Sequence, residues 1–142
     1  MVFFEGLDKT GKTELCRKVR FIGGHTIPFY ERGFISRKVF REFRKEIDFP
    51  IEDWMRIEKY LIAKQMYAVV WLQTNYATIV KRHETAGEIC EFTEKEFEQQ
   101  NLLYQQHMES LIIQDIPILP LHTDYYSIED CVETILKWAG VI

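Results

Sequence analysis

Residues 2–13 read Val-Phe-Phe-Glu-Gly-Leu-Asp-Lys-Thr-Gly-Lys-Thr, and the expected architecture follows from this stretch. The short apolar run at residues 2–5 precedes a pattern of Gly, four residues, Gly, Lys and Thr. In this spacing the glycines let backbone N–H groups turn towards an anion, and the next helix adds the positive end of its dipole. The sequence therefore predicts a phosphate-binding loop between a buried strand and a helix.

The residues of this loop have separate expected roles in binding ATP and Mg²⁺. Lys12 is expected to contact the β- and γ-phosphates, and Thr13 to offer its hydroxyl to the metal. The expected nucleotide-binding set is completed by the other residues of the same stretch: Gly6, Leu7, Asp8, Lys9, Thr10, Gly11 and Glu14.

Strands and helices are predicted to alternate along the rest of the chain. Further strands are expected at residues 26–30, 67–72 and 117–121, and helices at 12–20, 34–45, 50–63, 75–83, 93–114 and 127–140. Thr93 with Glu96, and Ser127 with Asp130, have the spacing of helix caps. Because the strands are nearly continuous apolar runs, we expect a sheet covered on both faces. The prediction is an α/β, three-layer P-loop fold with a mostly parallel sheet, forming one domain over residues 1–142.

Composition and charge narrow the class of protein. Hydrophobic residues make up 46% and charged residues 28%, which favours a packed core over disorder. No apolar run could span a bilayer and no secretion signal is recognised, so we expect a cytoplasmic protein without membrane association. The cysteines and histidines lack metal-site spacing, so no metal other than Mg²⁺ is expected. Residues 1–50 carry eleven Lys and Arg against seven Asp and Glu, which suits phosphate binding.

The wider motif resembles that of a known enzyme family. Residues 4–13, Phe-Glu-Gly-Leu-Asp-Lys-Thr-Gly-Lys-Thr, resemble the opening of thymidylate kinases. Glu31-Arg32 with Ser36 resembles the Asp/Glu-Arg strand of thymidylate and deoxynucleoside kinases. Arg82, following the strand at residues 67–72, and the segment 123–130 resemble their lid-side arginine and adenine-side loop. The resemblance covers most of the chain, its first motif is the most specific, and it implies ATP-dependent phosphoryl transfer to a nucleotide or nucleoside.

The resemblance also implies roles for individual residues. The implied catalytic residues are Lys12, Lys9, Glu31 and Arg32, and the implied metal-site residues are Thr13 and Glu31. Arg82 would flank the adenine or the phosphates of ATP. The implied substrate-binding residues are Asp8, Arg32, Ser36, Phe40 and Arg41. Lys9 in the loop, combined with the absence of Lys and Arg from residues 84–94, matches the thymidylate kinases in which a loop arginine approaches the transferred phosphate.

The acceptor region departs from that pattern because few residues separate the first helix from Glu31-Arg32. This shortening leaves a second interpretation open, a kinase acting on a modified nucleoside or an end within DNA. The basic helix that would then contact DNA carries Arg37, Lys38, Arg41, Arg44 and Lys45. A third interpretation is a non-catalytic nucleotide-binding module. Related kinases often dimerise through helices, so a homodimer is also compatible with the sequence.

Overall fold

The computed structural model describes residues 1–7, 9–44 and 51–142. Asp8 lies outside these residues, as do the predicted end of one helix and the predicted start of the next at residues 45–50. The elements are β1 (Val2–Glu5), α1 (Lys12–Gly23), β2 (Phe29–Tyr30), α2 (Phe34–Arg44), α3 (Glu52–Ala63), β3 (Ala68–Gln73), α4 (Tyr76–Thr85), α5 (Glu94–Ile113), β4 (Ile118–His122) and α6 (Ile128–Trp138).

The four strands form one parallel sheet in the order β2-β1-β3-β4. The register pairs Val2 of β1 with Phe29 of β2 on one side and with Ala68 of β3 on the other. Because the chain leaves β1 towards one neighbour and later returns on its other side, the carboxyl end of β1 lies where the winding direction reverses. Crevices at such points are the usual ligand sites of open parallel sheets.

Two apolar cores, one on each face of the sheet, make the fold three-layered. Val2 and Phe4 of β1 pack into the core that includes residues of α1 and α6. Phe3, between them in sequence, packs into the opposite core with residues of α2, α3, α4 and α5. Alternate residues of one strand are therefore buried on opposite faces, which explains the continuous apolar runs. The prediction of a three-layer α/β fold with a parallel sheet is confirmed.

The two predicted helix caps are confirmed, whereas the second strand is shorter than predicted. The Thr93 hydroxyl accepts from the N–H of Glu96, whose carboxylate accepts from the N–H of Thr93, and Ser127 caps α6 by accepting from Asp130. The N–H groups of Thr26 and Ile27 both donate to the carbonyl of Gly23, at 3.0 and 3.1 Å. The chain is still turning after α1 at that point, so the strand prediction at residues 26–30 was too long.

No helix in residues 1–7, 9–44 and 51–142 is long and apolar enough to cross a bilayer. Some apolar side chains are nevertheless exposed, including Ile57 and Tyr60 on α3 and Phe21 on α1.

Candidate functional site

The phosphate-loop motif lies between β1 and α1, as predicted. Gly6 and Gly11 have φ angles of +148° and +99°, which L side chains rarely adopt. A Cβ atom on Gly6 would also lie 2.5 Å from the Leu72 carbonyl oxygen of β3. Helix α1 begins at Lys12, directly after Gly11, so the loop and the positive end of the helix dipole share one space. This backbone can bind an anion.

Residues from later elements hold the loop in place. The Thr123 hydroxyl, after β4, donates to the Thr10 carbonyl at 3.0 Å, while the Thr10 hydroxyl donates to the Leu7 carbonyl at 2.8 Å. The Tyr104 hydroxyl of α5 lies 3.0 Å from the Gly6 carbonyl oxygen, and Arg82 of α4 donates to the Lys9 carbonyl. The loop is therefore supported from several directions.

The two side chains expected to contact phosphate and metal lie at the start of α1. The Lys12 ammonium donates to the carbonyl oxygens of Gly6 and Leu7, at 2.6 and 2.5 Å. The Thr13 hydroxyl donates to the Glu31 carboxylate, so two oxygen ligands of the kind Mg²⁺ prefers converge beside the loop. These residues fit the expected Mg²⁺. No group of three or more His, Cys, Asp or Glu side chains suited to a metal occurs within the described ranges.

A cleft of about 650 Å³ opens over the loop, and we call it the donor cleft after the ATP-binding role expected from the sequence. Its lining includes most of the site residues predicted from sequence: Lys9, Thr10, Gly11, Lys12, Thr13, Glu14, Glu31, Arg32 and Arg82. It also includes residues that were not assigned to the site: Leu15, His83, Glu88, Thr123, Tyr126, Ile128 and Cys131. The resemblance of residues 123–130 to an adenine-side loop was the sequence signal for Thr123, Tyr126 and Ile128, which form the far wall of the cleft.

Asp124 joins the far wall to the start of α4. Its carboxylate accepts from the Thr74 hydroxyl at 2.6 Å and from the Asn75 N–H at 2.5 Å. Burial acts to raise the pKa of Asp124, but the hydrogen bonds from Thr74, Asn75 and Thr78 and the electrostatic effect of His122 together outweigh burial and hold that pKa below its usual range. The ionised carboxylate fixes the end of β3 to the loop after β4.

A buried carboxyl group links the phosphate loop to α2. Glu5 is inaccessible to solvent and accepts from the backbone N–H groups of Ile35 and Ser36, at 3.1 and 2.9 Å, and from the Ser36 hydroxyl. Burial raises the pKa of Glu5 to about 7, against the opposing hydrogen bonds of Ser36 and Ile35. The Tyr104 hydroxyl lies 3.0 Å from the Ser36 hydroxyl oxygen. Ser36 therefore joins this buried network beneath the loop.

A second cleft of about 600 Å³ adjoins the first, and we call it the aromatic cleft. Helix α2 contributes Phe40, Phe43 and Arg44; the connection between α4 and α5 contributes Gly87, Glu88, Ile89, Glu91 and Phe92; helices α4 and α5 contribute His83, Glu96 and Gln100. Of the residues predicted to bind substrate, Phe40 lines this cleft and Arg32 the donor cleft. Ser36 and Arg41 line neither, and Asp8 is outside the described residues.

His83 and Glu88 line both clefts, and Lys9 contacts Glu88 at the junction. The Glu88 carboxylate lies 3.2 Å from the Lys9 ammonium and 3.2 Å from Nδ1 of His83. The Glu88 N–H donates to the His83 carbonyl at 2.8 Å. The hydrogen bond from Lys9 and the positive charge of Lys9 lower the pKa of Glu88. An acidic side chain thus connects the α4–α5 loop to the phosphate loop.

The chain matches a known protein in structure but matches no known family in sequence. No protein-family model matches the chain, and no curated protein sequence matches it. The chain is similar in structure to the YorR protein of Bacillus subtilis, whose crystal structure is a complex with phosphorylated GDP. The TM-score is 0.73 with 16% sequence identity, over 99% of this chain and 95% of the YorR chain. The two chains therefore share a fold over nearly their whole lengths.

Proposed function

We propose that this chain is an ATP- and Mg²⁺-dependent kinase that transfers the γ-phosphate to a nucleotide or nucleoside. The observation that carries the proposal is the junction of two clefts beside the phosphate loop. The donor cleft has the backbone and charges suited to a triphosphate, and the aromatic cleft has the lining suited to a second, aromatic molecule. Phosphoryl transfer requires two such molecules to be held side by side.

The donor cleft would bind the triphosphate of ATP along residues 6–13. In this proposal Lys12 exchanges its loop carbonyl contacts for the β- and γ-phosphates, and Arg32 stabilises charge on the transferred group. Thr13 and Glu31 would hold Mg²⁺, which supplies positive charge beside the phosphate oxygens. Lys9 and Arg82 flank the same space. The fold shared with a nucleotide-bound protein supports a nucleotide as the ligand.

The aromatic cleft would bind the phosphate acceptor. Phe40, Phe43 and Phe92 offer ring faces and edges against which a nucleobase can pack. Gln100 is 4% exposed and lines the cleft, so its amide can read hydrogen-bonding groups on the base. Most ligand sites combine an apolar lining with a few placed polar groups in this way.

The contacts of α2 favour a small acceptor over DNA. Lys38 forms an ion pair with the nearly buried Glu58, and the Arg37 guanidinium lies 3.7 Å from the ring centroid of Trp54. Both cations are therefore engaged within the protein, which weakens the case for a basic helix lying along DNA. A kinase acting within DNA and a non-catalytic nucleotide-binding module remain the competing functions. We also propose a cytoplasmic location and homodimerisation, the latter measurable by light scattering.

The test is transfer of labelled γ-phosphate from ATP, in the presence of Mg²⁺, to a panel of acceptors. The panel contains the deoxynucleosides, their monophosphates, and single- and double-stranded DNA with ordinary and hydroxymethylated pyrimidines. Label on a free nucleoside or monophosphate would support the proposal and name the acceptor. Label on DNA alone would support a kinase acting within DNA in place of the proposed function. Absence of transfer with ATP binding intact would leave the nucleotide-binding module.

A further inference from the structure

The junction between the donor cleft and the aromatic cleft is the place where a transferred phosphate would pass. His83 and Glu88 line both clefts, and Lys9 reaches the Glu88 carboxylate from the phosphate loop. In the proposed kinase a group at this junction would face both the γ-phosphate and the attacking atom of the acceptor. The chemistry of these side chains therefore bears on which acceptors the protein can use.

A hydroxyl acceptor needs a proton acceptor at this point, whereas a phosphate acceptor does not. The hydroxyl proton must leave as the new O–P bond forms, while the oxygen of a nucleoside monophosphate is already ionised at neutral pH. Among the described carboxylates, Glu14 and Glu31 line the donor cleft, and Glu91 and Glu96 line the aromatic cleft. In that part of the chain Glu88 is the carboxylate common to both linings.

Two neighbours orient the Glu88 carboxylate and keep it ionised. Lys9 approaches from the phosphate loop and Nδ1 of His83 from α4, each at 3.2 Å. The pKa of Glu88 is lowered, chiefly by the hydrogen bond from Lys9. At neutral pH the side chain is therefore available to accept a proton. The connection between α4 and α5 contributes one more described charged side chain to the aromatic cleft. This is Glu91, which adds negative charge near Glu88.

The charge of the aromatic cleft is also unsuited to a dianionic acceptor. Its described lining carries Arg44 as a cation against the carboxylates of Glu88, Glu91 and Glu96. Lys9 partly compensates Glu88, but Glu91 and Glu96 still outnumber the remaining cation. A neutral nucleoside avoids the repulsion that a second phosphate group would meet there.

We propose that Glu88 is the general base for transfer to a nucleoside hydroxyl, so that the acceptor class is nucleosides rather than nucleoside monophosphates. The hydroxyl oxygen attacks the γ-phosphorus, and its O–P bond forms as the bond to the β,γ-bridging oxygen breaks. The electron pair of the broken bond stays on ADP, and the hydroxyl proton moves to the Glu88 carboxylate. This inference rests on the kinase function proposed above.

The test compares the full-length protein with Glu88→Gln, Glu88→Ala and a Glu84→Gln control. Glu84 is an exposed residue of α4 outside the lining of both clefts. With the best nucleoside, Glu88→Gln is expected to lower kcat by about 10²–10⁴-fold. ATP binding should remain, and Glu84→Gln should match the unmodified protein. Because Glu88 is exposed, formate should enter the Glu88→Ala site and restore part of kcat.

Three results would overturn the inference while leaving the kinase function intact. They are full turnover by Glu88→Gln, failure of formate to rescue Glu88→Ala, and faster transfer to monophosphates than to nucleosides by the unmodified protein. Asp8, a predicted substrate-binding residue, is the rival candidate for the base, so loss of kcat in Asp8→Asn with full turnover by Glu88→Gln would assign the role to Asp8 instead. A protein that transfers phosphate to no acceptor would overturn both the kinase function and the role of Glu88.

Discussion

The phosphate loop and the aromatic cleft are built in opposite ways. The loop consists of consecutive residues whose backbone is set by two glycines and supported by hydrogen bonds from α4, α5 and the end of β4. The aromatic cleft is assembled from side chains of α2, α4, α5 and one connecting loop. A site made by local backbone is therefore visible in the sequence, whereas a site made by distant side chains requires the fold. The following changes test how independent the two regions are.

Among the changes that compare the two regions, replacing Lys12 by Ala should have the largest effect, and it should be confined to the donor cleft. Loss of the ammonium that would stabilise the transferred phosphate is expected to reduce kcat on the order of 10³-fold. Acceptor binding in the aromatic cleft should persist, as measured by calorimetry with the best acceptor. Lys59→Ala, at an exposed position of α3, is the matched control. Retained turnover in Lys12→Ala would contradict the proposed mechanism.

Replacing Glu5 by Gln tests the carboxyl group that joins the phosphate loop to α2. The pKa of Glu5 is raised by burial from 4.5 to about 7, so the folded protein holds the proton more tightly than the unfolded chain. Its contribution to stability is therefore complete below pH 4.5 and is lost as pH rises through about 7. The change amounts to about 3 kcal/mol in the free energy of unfolding.

Urea unfolding at pH 5 and pH 8 measures this contribution. The unmodified protein should lose stability between the two values, and Glu5→Gln should lose about 2.5 kcal/mol less, since part of the contribution is already lost at pH 5. Glu98→Gln, at an exposed position on α5, controls for the change in net charge. Equal pH dependence in all three proteins would mean that Glu5 is ionised in the fold at pH 5.

Two glycine substitutions compare the packing of the two regions directly. A Cβ on Gly33 would lie 2.3 Å from the Glu5 carboxylate and 2.9 Å from the Phe3 Cβ, so Gly33→Ala should cost about 2 kcal/mol of stability. Gly87 has φ +72° but no described atom within 4 Å of such a Cβ, and Gly87→Ala should cost about 1 kcal/mol. Thermal unfolding of both variants measures the two losses of stability. A larger loss for Gly87→Ala than for Gly33→Ala would mean that the surroundings of Gly33, beside Glu5, are less tightly packed than the aromatic cleft.

Replacing Phe40 by Ala should have a smaller effect on activity than Lys12→Ala, and it should be confined to the aromatic cleft. Loss of one ring from the acceptor wall is expected to raise the acceptor KM about tenfold while the ATP KM stays unchanged. Phe21→Ala is the control, because Phe21 is 87% exposed in a separate groove between α1 and α6. A change in ATP KM instead would show that the two clefts act as one site.

The sequence predicted the fold wherever a local pattern has one physical solution. The loop glycines, the cap formed by Thr93 and Glu96, and the apolar strands each specify their own conformation from neighbouring residues. The second strand was predicted too long because the composition of residues 26–30 is typical of a strand. Hydrogen bonds from Thr26 and Ile27 to the Gly23 carbonyl instead keep this part of the chain in a turn.

His83 and Glu88, at the junction of the two clefts, were missed for a different reason. From the sequence, only the absence of Lys and Arg from residues 84–94 was considered. In the structure, this segment contributes the Glu88 carboxylate, which forms an ion pair with Lys9. Ion pairs between distant positions leave no periodic pattern in one sequence. Glu5 was similarly recognised only as part of a motif, since its hydrogen bonds to Ile35 and Ser36 depend on where α2 begins.

The supports of the phosphate loop have a consequence for how the chain folds during synthesis. Gly6 meets Tyr104, and Thr10 meets Thr123, across separations of 98 and 113 residues. The loop therefore leaves the ribosome well before the side chains that hold it, and contacts of such long range form slowly. A nascent chain that ends before β4 carries the complete phosphate motif without its Thr123 contact. We therefore expect the nucleotide binding proposed above to be acquired late, after β4 has joined the sheet.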